Sequence, residues 1–173
     1  MQNRYIPPED FDRIIRRVRS DYRPLYILAA ETGFRIDDIL KLRQFHAKQD
    51  VLTLKEEKTG KNRTVLLSDR AKEAMRQQLR NCGKLQSFRY LFPARTQKQG
   101  QKRQKLHRST AHRQFTQAVK RAGFADRGYT VHSLRKIYAH DLYAKTGSAL
   151  AVQRDLNHDR LSTTLLYIAD VTM

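Results

Sequence analysis

The chain has 173 residues, enough for one domain with a real hydrophobic core, and we expect no second folded domain. Its 35 Lys and Arg residues outnumber 17 Asp and Glu residues, and this excess, a formal net charge of +18, is spread along the whole chain. Such a surface attracts polyanions and releases their counterions, which predicts salt-sensitive binding to nucleic acid. A ribosomal or chromatin-like basic protein is the alternative that charge alone leaves open.

Cysteine content and hydropathy indicate the cellular compartment of the protein. Cys82 is the single cysteine, which excludes an intramolecular disulfide and a zinc site built from several cysteines. The first residues carry no apolar run behind a basic start, and no stretch approaches the length of a membrane span. We therefore expect a soluble protein of the reducing cytoplasm, associated with the nucleoid when it binds DNA.

The first third of the chain predicts three helices. Pro7 and the acidic residues after it start an amphipathic helix that runs through Val18. A more apolar, buried helix is predicted over residues 23–32, and Gly33 fits its carboxyl-terminal cap. The segment RIDDILKL opens a third helix, so Arg35 lies at the break between two helices, where backbone on both sides can aim its side chain.

A β-hairpin comes next. Two β-type runs, VLTLKEE and RTVLLS, are separated by the turn residues TGKN, which places Lys58 at the tip. Ser68 or Asp69 then caps a helix that extends to about Asn81 and ends at Gly83.

The rest of the chain is mainly helical. Residues 89–93 read as a short extended piece, and residues 94–106 as a basic loop that is either simply solvated or in contact with DNA. Further helices are predicted over residues 108–122, 131–145, 149–156 and 162–168. The predicted fold class is mixed α/β, mainly α-helical with a small antiparallel β-sheet.

Five short motifs carry the chemistry, in a fixed order. They are Thr-Gly-x-Arg, a hairpin lysine, His-x-x-Arg, Leu-x-His and Thr-x-x-Tyr, which contribute Arg35, Lys58, His132, Arg135, His158 and Tyr167. A His-x-x-Arg pair alone occurs by chance in many helices, but the ordered set is specific. From about residue 7 to residue 167 the chain resembles the catalytic domain of the tyrosine recombinase (phage integrase) family.

The resemblance implies a site-specific DNA recombinase or integrase. Such an enzyme cleaves and rejoins duplex DNA through a 3′-phosphotyrosine intermediate, without a metal, ATP or another cofactor. A type IB topoisomerase-like enzyme, which relaxes supercoils with a similar residue set, is one alternative. A basic DNA-binding regulator that keeps the fold but not the reaction is another.

Tyr167 is the implied nucleophile. A free tyrosine has a pKa of about 10, so it needs a proton acceptor and a phosphate whose charge is already neutralised. Tyr138 and Tyr143 are poorer candidates, because no basic pattern follows them. Taken alone, a tyrosine in TLLYIADV is more often a packed aromatic residue, so the assignment depends on the complete set.

The two arginines and two histidines would surround the phosphate. Planar guanidinium groups suit Arg35 and Arg135 to grip the non-bridging oxygens. His132, one helical turn before Arg135, would accept the tyrosine proton or hydrogen-bond the phosphate, and His158 would donate to a phosphate oxygen. The family usually has glycine before this second histidine, whereas this chain has Asn157, the next most tolerant residue of a positive φ.

Lys58 is the expected general acid that protonates the departing 5′-oxygen, with Lys55 and Lys61 as rivals. Asp38 stands where the family carries an acidic residue, three positions after the first arginine. We expect Asp38 to orient the arginines, and Asp37 is a close competitor.

The expected partner is duplex DNA with specific recombination sites, and no membrane. Contacts to DNA are expected from six basic residues: Lys61, Arg63, Lys98, Lys102, Arg103 and Lys105. We expect a monomer in solution and a homotetramer on DNA, with accessory DNA-bending proteins as candidate partners. We expect residues 1–173 to form the catalytic domain without a separate amino-terminal DNA-binding domain, which fits either a short recombinase or a piece of a longer integrase.

Overall fold

Helices make up most of the computed structural model, which describes residues 3–83, 86–87, 89–94 and 104–169. Within these ranges the helices are α1 (Pro8–Arg17), α2 (Arg23–Thr32), α3 (Ile36–Ile39), α4 (Asp69–Asn81), α5 (Arg108–Arg121), α6 (Val131–Thr146), α7 (Ala149–Asp155) and α8 (Leu161–Ile168). None of them combines the length and apolar character that a membrane crossing requires.

The helix boundaries follow the capping chemistry of the sequence. Ser68 accepts a hydrogen bond from the Ala71 amide at the start of α4, and Thr130 caps α6 in the same way through the amide of His132. Gly33 ends α2 in the left-handed conformation, with φ of 63°. These boundaries confirm the sequence prediction to within one or two residues.

Two segments differ from the prediction. The third helix is a single turn, α3, because the chain bends after Leu40 instead of continuing through LKL. A short 3₁₀ helix, Gln44–Lys48, follows it and was not predicted.

The extended piece after α4 forms isolated bridges, Arg43 with Tyr90 and Pro93 with Lys105.

The predicted hairpin is confirmed. Strands β1 (Val51–Lys55) and β2 (Asn62–Leu66) pair antiparallel, with Val51 opposite Leu66 and Lys55 opposite Asn62. Side chains alternate between the two faces, so Leu52 and Val65 enter the core while Val51 and Leu66 remain exposed. The fold is therefore the expected mainly helical class with one small antiparallel sheet.

The apolar core is unequal across the molecule. A main cluster is centred on α2, which packs against α4 and α6, and includes fully buried Leu25, Tyr26 and Leu28. A much smaller cluster, Ala139, Val152 and Leu156, lies between α6, α7 and α8. Tyr167 and Ile168 of α8 pack against this second cluster, so α8 is attached to the periphery of the fold.

Candidate active site

An open groove of about 810 Å³ lies between the hairpin turn, the start of α3, the start of α5 and the segment from Asn157 into α8. Five of the six residues singled out by the motifs line it: Arg35, Lys58, His132, His158 and Tyr167. Arg135 lies beneath them and is buried. Segments far apart in sequence therefore converge on one site.

Arg35 is held at the junction between α2 and α3. Gly33 reverses the chain, and Arg35 itself has extended backbone as the residue that precedes α3. Its Nη1 donates to Oε1 of Glu56 at 2.7 Å, and 19% of its side chain is exposed. The remaining guanidinium edge is therefore available toward the groove.

Gly33 is required where α2 meets α6. A β-carbon at this position would lie 2.6 Å from a ring carbon of Tyr138, and its φ is positive. The left-handed turn also directs the carbonyl of Gly33 to Arg135, whose Nη1 donates to it at 2.6 Å. The glycine of the Thr-Gly-x-Arg motif thus sets the positions of both arginines.

Arg135 is fixed on several sides. Besides Gly33, its Nη1 donates to Glu56 Oε1 at 3.1 Å, and its Nη2 donates to the carbonyl of Leu156 at 2.6 Å. Within the described residues its Nε has no hydrogen-bond partner. Burial lowers the pKa of Arg135 to about 10. The positive charges of Arg35 and Arg63 also lower this pKa, whereas the negative charge of Glu56 raises it. The side chain, 4% exposed, is still charged at neutral pH.

Glu56 is the residue in contact with both arginines that the motifs did not indicate. Its side chain is 0% exposed and its Oε1 accepts hydrogen bonds from both Arg35 and Arg135. Burial alone would raise the pKa of Glu56, but the guanidinium groups of Arg135 and Arg35, with the amide of Asn157, hold it below the ordinary value. A buried carboxylate therefore bridges the two arginines.

Asp38 does not take the role expected of it. Its Oδ1 accepts from the amide of Glu57 at 2.9 Å and lies 3.6 Å from the Lys41 ammonium. Burial raises the pKa of Asp38. The carboxylate that contacts the arginines is Glu56, and Asp38 instead ties α3 to the hairpin turn. Its competitor Asp37 pairs with Arg108 at 3.3 Å.

His158 and Tyr167 lie side by side. Their rings meet edge to face with centroids 4.9 Å apart, and Nδ1 of His158 is 3.0 Å from Oγ1 of buried Thr164. Burial lowers the pKa of His158 to about 4, and Arg135 and Arg35 add to this shift, so the ring is neutral at pH 7. Asn157 has a φ of 52°, which confirms that it adopts the conformation usual for glycine.

Tyr167 is partly buried on α8. The Nζ of Lys136, on α6, donates to the carbonyl of Leu166 at 3.2 Å and lies 5.7 Å from the centre of the Tyr167 ring. The rival Tyr138 lies beneath the site instead, against Gly33 and Arg63, and burial raises its pKa to about 12. The geometry therefore favours Tyr167 over Tyr138 as the groove tyrosine.

His132 faces the groove from the first turn of α6. Its ring meets that of His112 on α5 with centroids 5.9 Å apart. Although much of the residue is open to solvent, partial burial of the ring lowers its pKa, and His112 and Arg108 lower it further. A neutral imidazole at pH 7 is able to accept a proton.

Lys58 lines the groove from the hairpin turn, as expected. Its rivals are placed elsewhere: Lys55 is exposed on β1, opposite Asn62, and Lys61 pairs with Asp159 at 2.8 Å. Lys58 is thus the one of these three lysines that lines the groove.

The expected DNA contacts divide into three groups. Lys105 lines the groove and Lys61 lies at its edge, both accessible to a ligand. Arg63 contradicts the expectation, because its side chain is 2% exposed and its Nη2 pairs with Asp155 at 2.7 Å. It stacks over Phe34 and Tyr138 and joins the hairpin to α7. Lys98, Lys102 and Arg103 lie outside the described residues.

One residue pair at the groove was not anticipated. Arg108, at the start of α5, lines the groove and pairs with Asp37, and His112 stands one turn later beside His132. The His-x-x-Arg pattern gave no signal for them, because they come from a different helix. Across the described ranges, no three His, Cys, Asp or Glu side chains are grouped so as to hold a metal ion.

Comparisons with known proteins agree with this geometry. The profile of the phage integrase family matches residues 4–172. A probable integrase/recombinase of Bacillus subtilis (strain 168), YoeC, is 29% identical over 156 residues, which is 90% of this chain and 80% of that protein.

Solved structures share the fold. A crystal structure of XerA recombinase superposes with a TM-score of 0.77 and 21% identity, covering 95% of this chain and 58% of that one. A lambda integrase dimer bound to a COC′ core site gives a TM-score of 0.77 and 22% identity, covering 99% of this chain and 49% of the other. The chain thus spans about half to three-fifths of these structures. Its sequence, fold and the resemblance seen in its motifs agree that it belongs to the phage integrase family, the tyrosine recombinases.

Proposed function

We propose that this protein is a site-specific DNA recombinase that breaks and rejoins duplex DNA through a 3′-phosphotyrosine at Tyr167. The observation that carries the proposal is the groove itself. It brings a tyrosine, a lysine and two histidines together with Arg35, directly above the buried Arg135. This is the set of groups that a phosphodiester needs for charge neutralisation and proton transfer.

The arginines supply the charge. Arg35 presents a partly exposed guanidinium to the groove, and Arg135 keeps its Nε without a partner among the described residues. Their donors bind the non-bridging oxygens and stabilise the extra negative charge of the pentacoordinate transition state. Both are held from behind by Glu56, so little reorganisation is needed when DNA arrives.

Two proton transfers accompany the attack. The Tyr167 hydroxyl oxygen forms a bond to phosphorus while its proton passes to neutral His132. The bond from phosphorus to the 5′-oxygen breaks, and Lys58 protonates that leaving oxygen. His158, also neutral, donates a hydrogen bond to a phosphate oxygen, with its other ring nitrogen facing Thr164. Reversal by a free 5′-hydroxyl regenerates the tyrosine and a continuous strand.

The energy of the phosphodiester is kept in the phosphotyrosine, so the proposed reaction uses no ATP. The two arginines and Lys58 perform the charge stabilisation that Mg²⁺ performs in other phosphoryl transfers, and the scheme assigns no step to a metal.

Duplex DNA with specific sites is the proposed substrate. The formal charge of +18 and the basic residues at the groove, including Lys105, support it. Solved relatives include XerH recombinase bound to its difH substrate and lambda integrase bound to a core site as a dimer. For this chain we propose a monomer in solution and a homotetramer on DNA.

The test is a search for covalent protein–DNA adducts in cells that express the wild type or Tyr167→Phe. Denaturation is carried out in the presence of chelator, and the attached DNA ends are sequenced. Tyr143→Phe is the matched control, because Tyr143 is an exposed tyrosine outside the groove. We expect adducts through the 3′ end at one repeated sequence with the wild type and the control, and none with Tyr167→Phe.

The other results separate the alternatives. Adducts that persist in Tyr167→Phe exclude this nucleophile, and cleavage that chelator abolishes contradicts the metal-free scheme. Adducts scattered without sequence preference indicate a topoisomerase-like relaxing enzyme. Binding without any adduct indicates either a DNA-binding regulator or a catalytic domain that needs a further DNA-binding domain, and adding such a domain separates the two.

A further inference from the structure

Glu56 is a fully buried carboxylate in a turn that is otherwise polar and exposed. It directly follows β1, and its neighbours Glu57 and Lys58 are exposed. Leu52 and Leu54 precede it at two-residue intervals on the inward side of the strand. The pleat of β1 therefore carries Glu56 into the protein. An isolated carboxylate at such a depth is strongly unfavourable, so its partners must compensate for it.

Glu56 contacts side chains from three other parts of the site. Oε1 accepts from Arg35 at 2.7 Å and from Arg135 at 3.1 Å. Oε2 accepts from the Asn157 amide at 3.3 Å and from the Thr59 hydroxyl at 3.2 Å. Asn157 immediately precedes His158, and Lys58 is two residues from Glu56. One carboxylate thus links the segments that carry four of the six motif residues.

The charge of Glu56 also matters to the arginines. Two guanidinium groups that share one carboxylate oxygen lie close together, and like charges at that distance repel each other strongly in a partly buried site. The carboxylate provides the compensating negative charge before DNA binds. Without it, Arg135 would be a buried cation facing Arg35 with only backbone carbonyls as partners.

Glu56 does not occupy the phosphate position. It is absent from the groove lining, whereas Arg35, Lys58 and Thr59 around it are part of that lining. Its carboxylate is fully buried, and Arg35, which it contacts, still lines the groove with 19% of its side chain exposed. The Glu56 carboxylate can therefore stay in contact with the arginines when a phosphate binds, and the phosphate does not have to displace it.

We propose that Glu56 is the positioning residue of this site: its carboxylate holds the guanidinium groups of Arg35 and Arg135 in the orientation that receives the scissile phosphate. It also connects them to the lysine-bearing turn and to the segment before His158. The inference deepens the proposed recombinase function and rests on it for its catalytic meaning.

The direct test compares Glu56→Gln with the wild type in single-turnover cleavage of a duplex that carries the adduct site. Gln keeps the shape but removes the charge and one acceptor. We expect cleavage to slow by about 30- to 100-fold, since small misplacements of catalytic groups have effects of that order. DNA affinity should stay equal or rise slightly, because the variant is one charge more positive. Glu73→Gln, in an exposed pair with Arg76 and Arg80, is the matched control and should cleave normally.

Cleavage by Glu56→Gln at or above the wild-type rate overturns the proposal, because the carboxylate would then contribute nothing to cleavage or would slow it. If Glu56→Gln does not fold, Asn157→Gly takes its place. Glycine keeps the positive φ and removes the side-chain amide, which donates to Oε2 of Glu56 at 3.3 Å and to the carbonyl of Asn62 at 3.4 Å. The loss of these two long hydrogen bonds should slow cleavage by about three- to tenfold.

A measurement without DNA separates this proposal from the proposed function. NMR exchange of the arginine side-chain N–H protons should show slow, restricted guanidinium groups for Arg35 and Arg135 in the wild type. Faster exchange is expected in Glu56→Gln and Asn157→Gly. Unchanged exchange in both variants overturns the positioning role, whether or not the wild type cleaves DNA. Absence of wild-type adducts, in contrast, overturns only the recombinase function.

Discussion

Arg135 and Tyr167 belong to one site but are held in different ways. Arg135 lies under the groove on the sixteen-residue helix α6 and is bonded to two carbonyls and a carboxylate. Tyr167 lies on the eight-residue helix α8, in which Thr164 is the one buried residue and Leu161, Leu165 and Leu166 are exposed. The arginine proposed to stabilise charge is built into the core, whereas the proposed nucleophile lies on a lightly packed element.

This contrast suits the proposed chemistry. Charge stabilisation works best when its donors are fixed before the reaction. A tyrosine that becomes covalently attached to DNA must follow the strand to which it is joined. An element with little buried apolar surface can move at a low cost in free energy. We therefore expect substitutions on the arginine side to affect both stability and rate, and those on the tyrosine side to affect mainly rate.

Arg135→Lys should give the largest effect. Lysine keeps the charge but cannot reach Gly33, Leu156 and Glu56 at once, so buried acceptors lose their partner. We expect cleavage to fall by at least about 100-fold and the free energy of unfolding by about 2–4 kcal/mol. Single-turnover kinetics and urea denaturation measure the two. Arg121→Lys, exposed at the end of α5, is the control, and an equally large loss there would remove the contrast.

Gly33→Ala tests the support beneath the arginines. The new β-carbon would meet the Tyr138 ring at 2.6 Å in a backbone conformation with positive φ. We expect the free energy of unfolding to fall by about 2–4 kcal/mol. Gly147→Ala is a close control, because Gly147 caps α6 with a φ of 62° and a β-carbon there meets nothing within 4 Å. Equal losses in the two variants would show that close packing at Gly33 contributes nothing.

Thr164→Val tests the tyrosine side. Valine keeps the volume of this buried side chain but removes the hydroxyl that lies 3.0 Å from His158. The free energy of unfolding should fall by only about 1 kcal/mol, while cleavage slows by about tenfold because the histidine is no longer oriented. Denaturation and single-turnover cleavage of the same preparation give both numbers. A stability loss as large as that of Arg135→Lys would contradict the expectation that the tyrosine side affects mainly the rate.

The smallest effect is expected in the pH dependence of stability. The pKa of His158 is about 4 in the folded protein and near 6.5 when unfolded, so between these values the unfolded chain binds the extra proton. The stability contribution of His158 is therefore complete above pH 6.5 and declines as the pH falls toward 4. The slope is below about 1.4 kcal/mol per pH unit, since water screens the half-buried ring. Denaturation of the wild type and His158→Gln at pH 7 and pH 5 should show a smaller difference at pH 5. A difference in the free energy of unfolding that is the same at pH 7 and pH 5 would contradict the lowered pKa of His158.

The sequence predicts most of this arrangement because its strongest signals are local. Capping residues give the limits of α2, α4 and α6, and the turn residues between two β-type runs give the hairpin with Lys58 near its tip. The motif order then identifies the groove residues. The limits of α3 and the 3₁₀ helix after it were not predictable in this way, because tertiary packing decides where so short a helix stops.

The omission of Glu56 and the wrong prediction for Arg63 have a common physical origin. Both are charged residues beside a polar turn, where charge suggests solvent exposure. The two-residue period of the strands gives the opposite answer, since Glu56 continues the inward face of Leu52 and Leu54, and Arg63 that of Val65. Their burial is possible because each pairs with a residue on a distant element, Glu56 with Arg135 and Arg63 with Asp155. No local pattern reveals those partners.

The bond from Arg135 to the carbonyl of Gly33 joins residues that are 102 positions apart in the chain. Closing so long a loop costs entropy that is recovered only when both ends have packed, so the site belongs to the late events of folding. A ribosome delivers Arg35 and the hairpin well before Arg135, His158 and Tyr167. Basic residues that attract DNA are therefore present in the nascent chain before the proposed catalytic set is complete. The proposed cleavage requires nearly the whole chain to have been synthesised and folded.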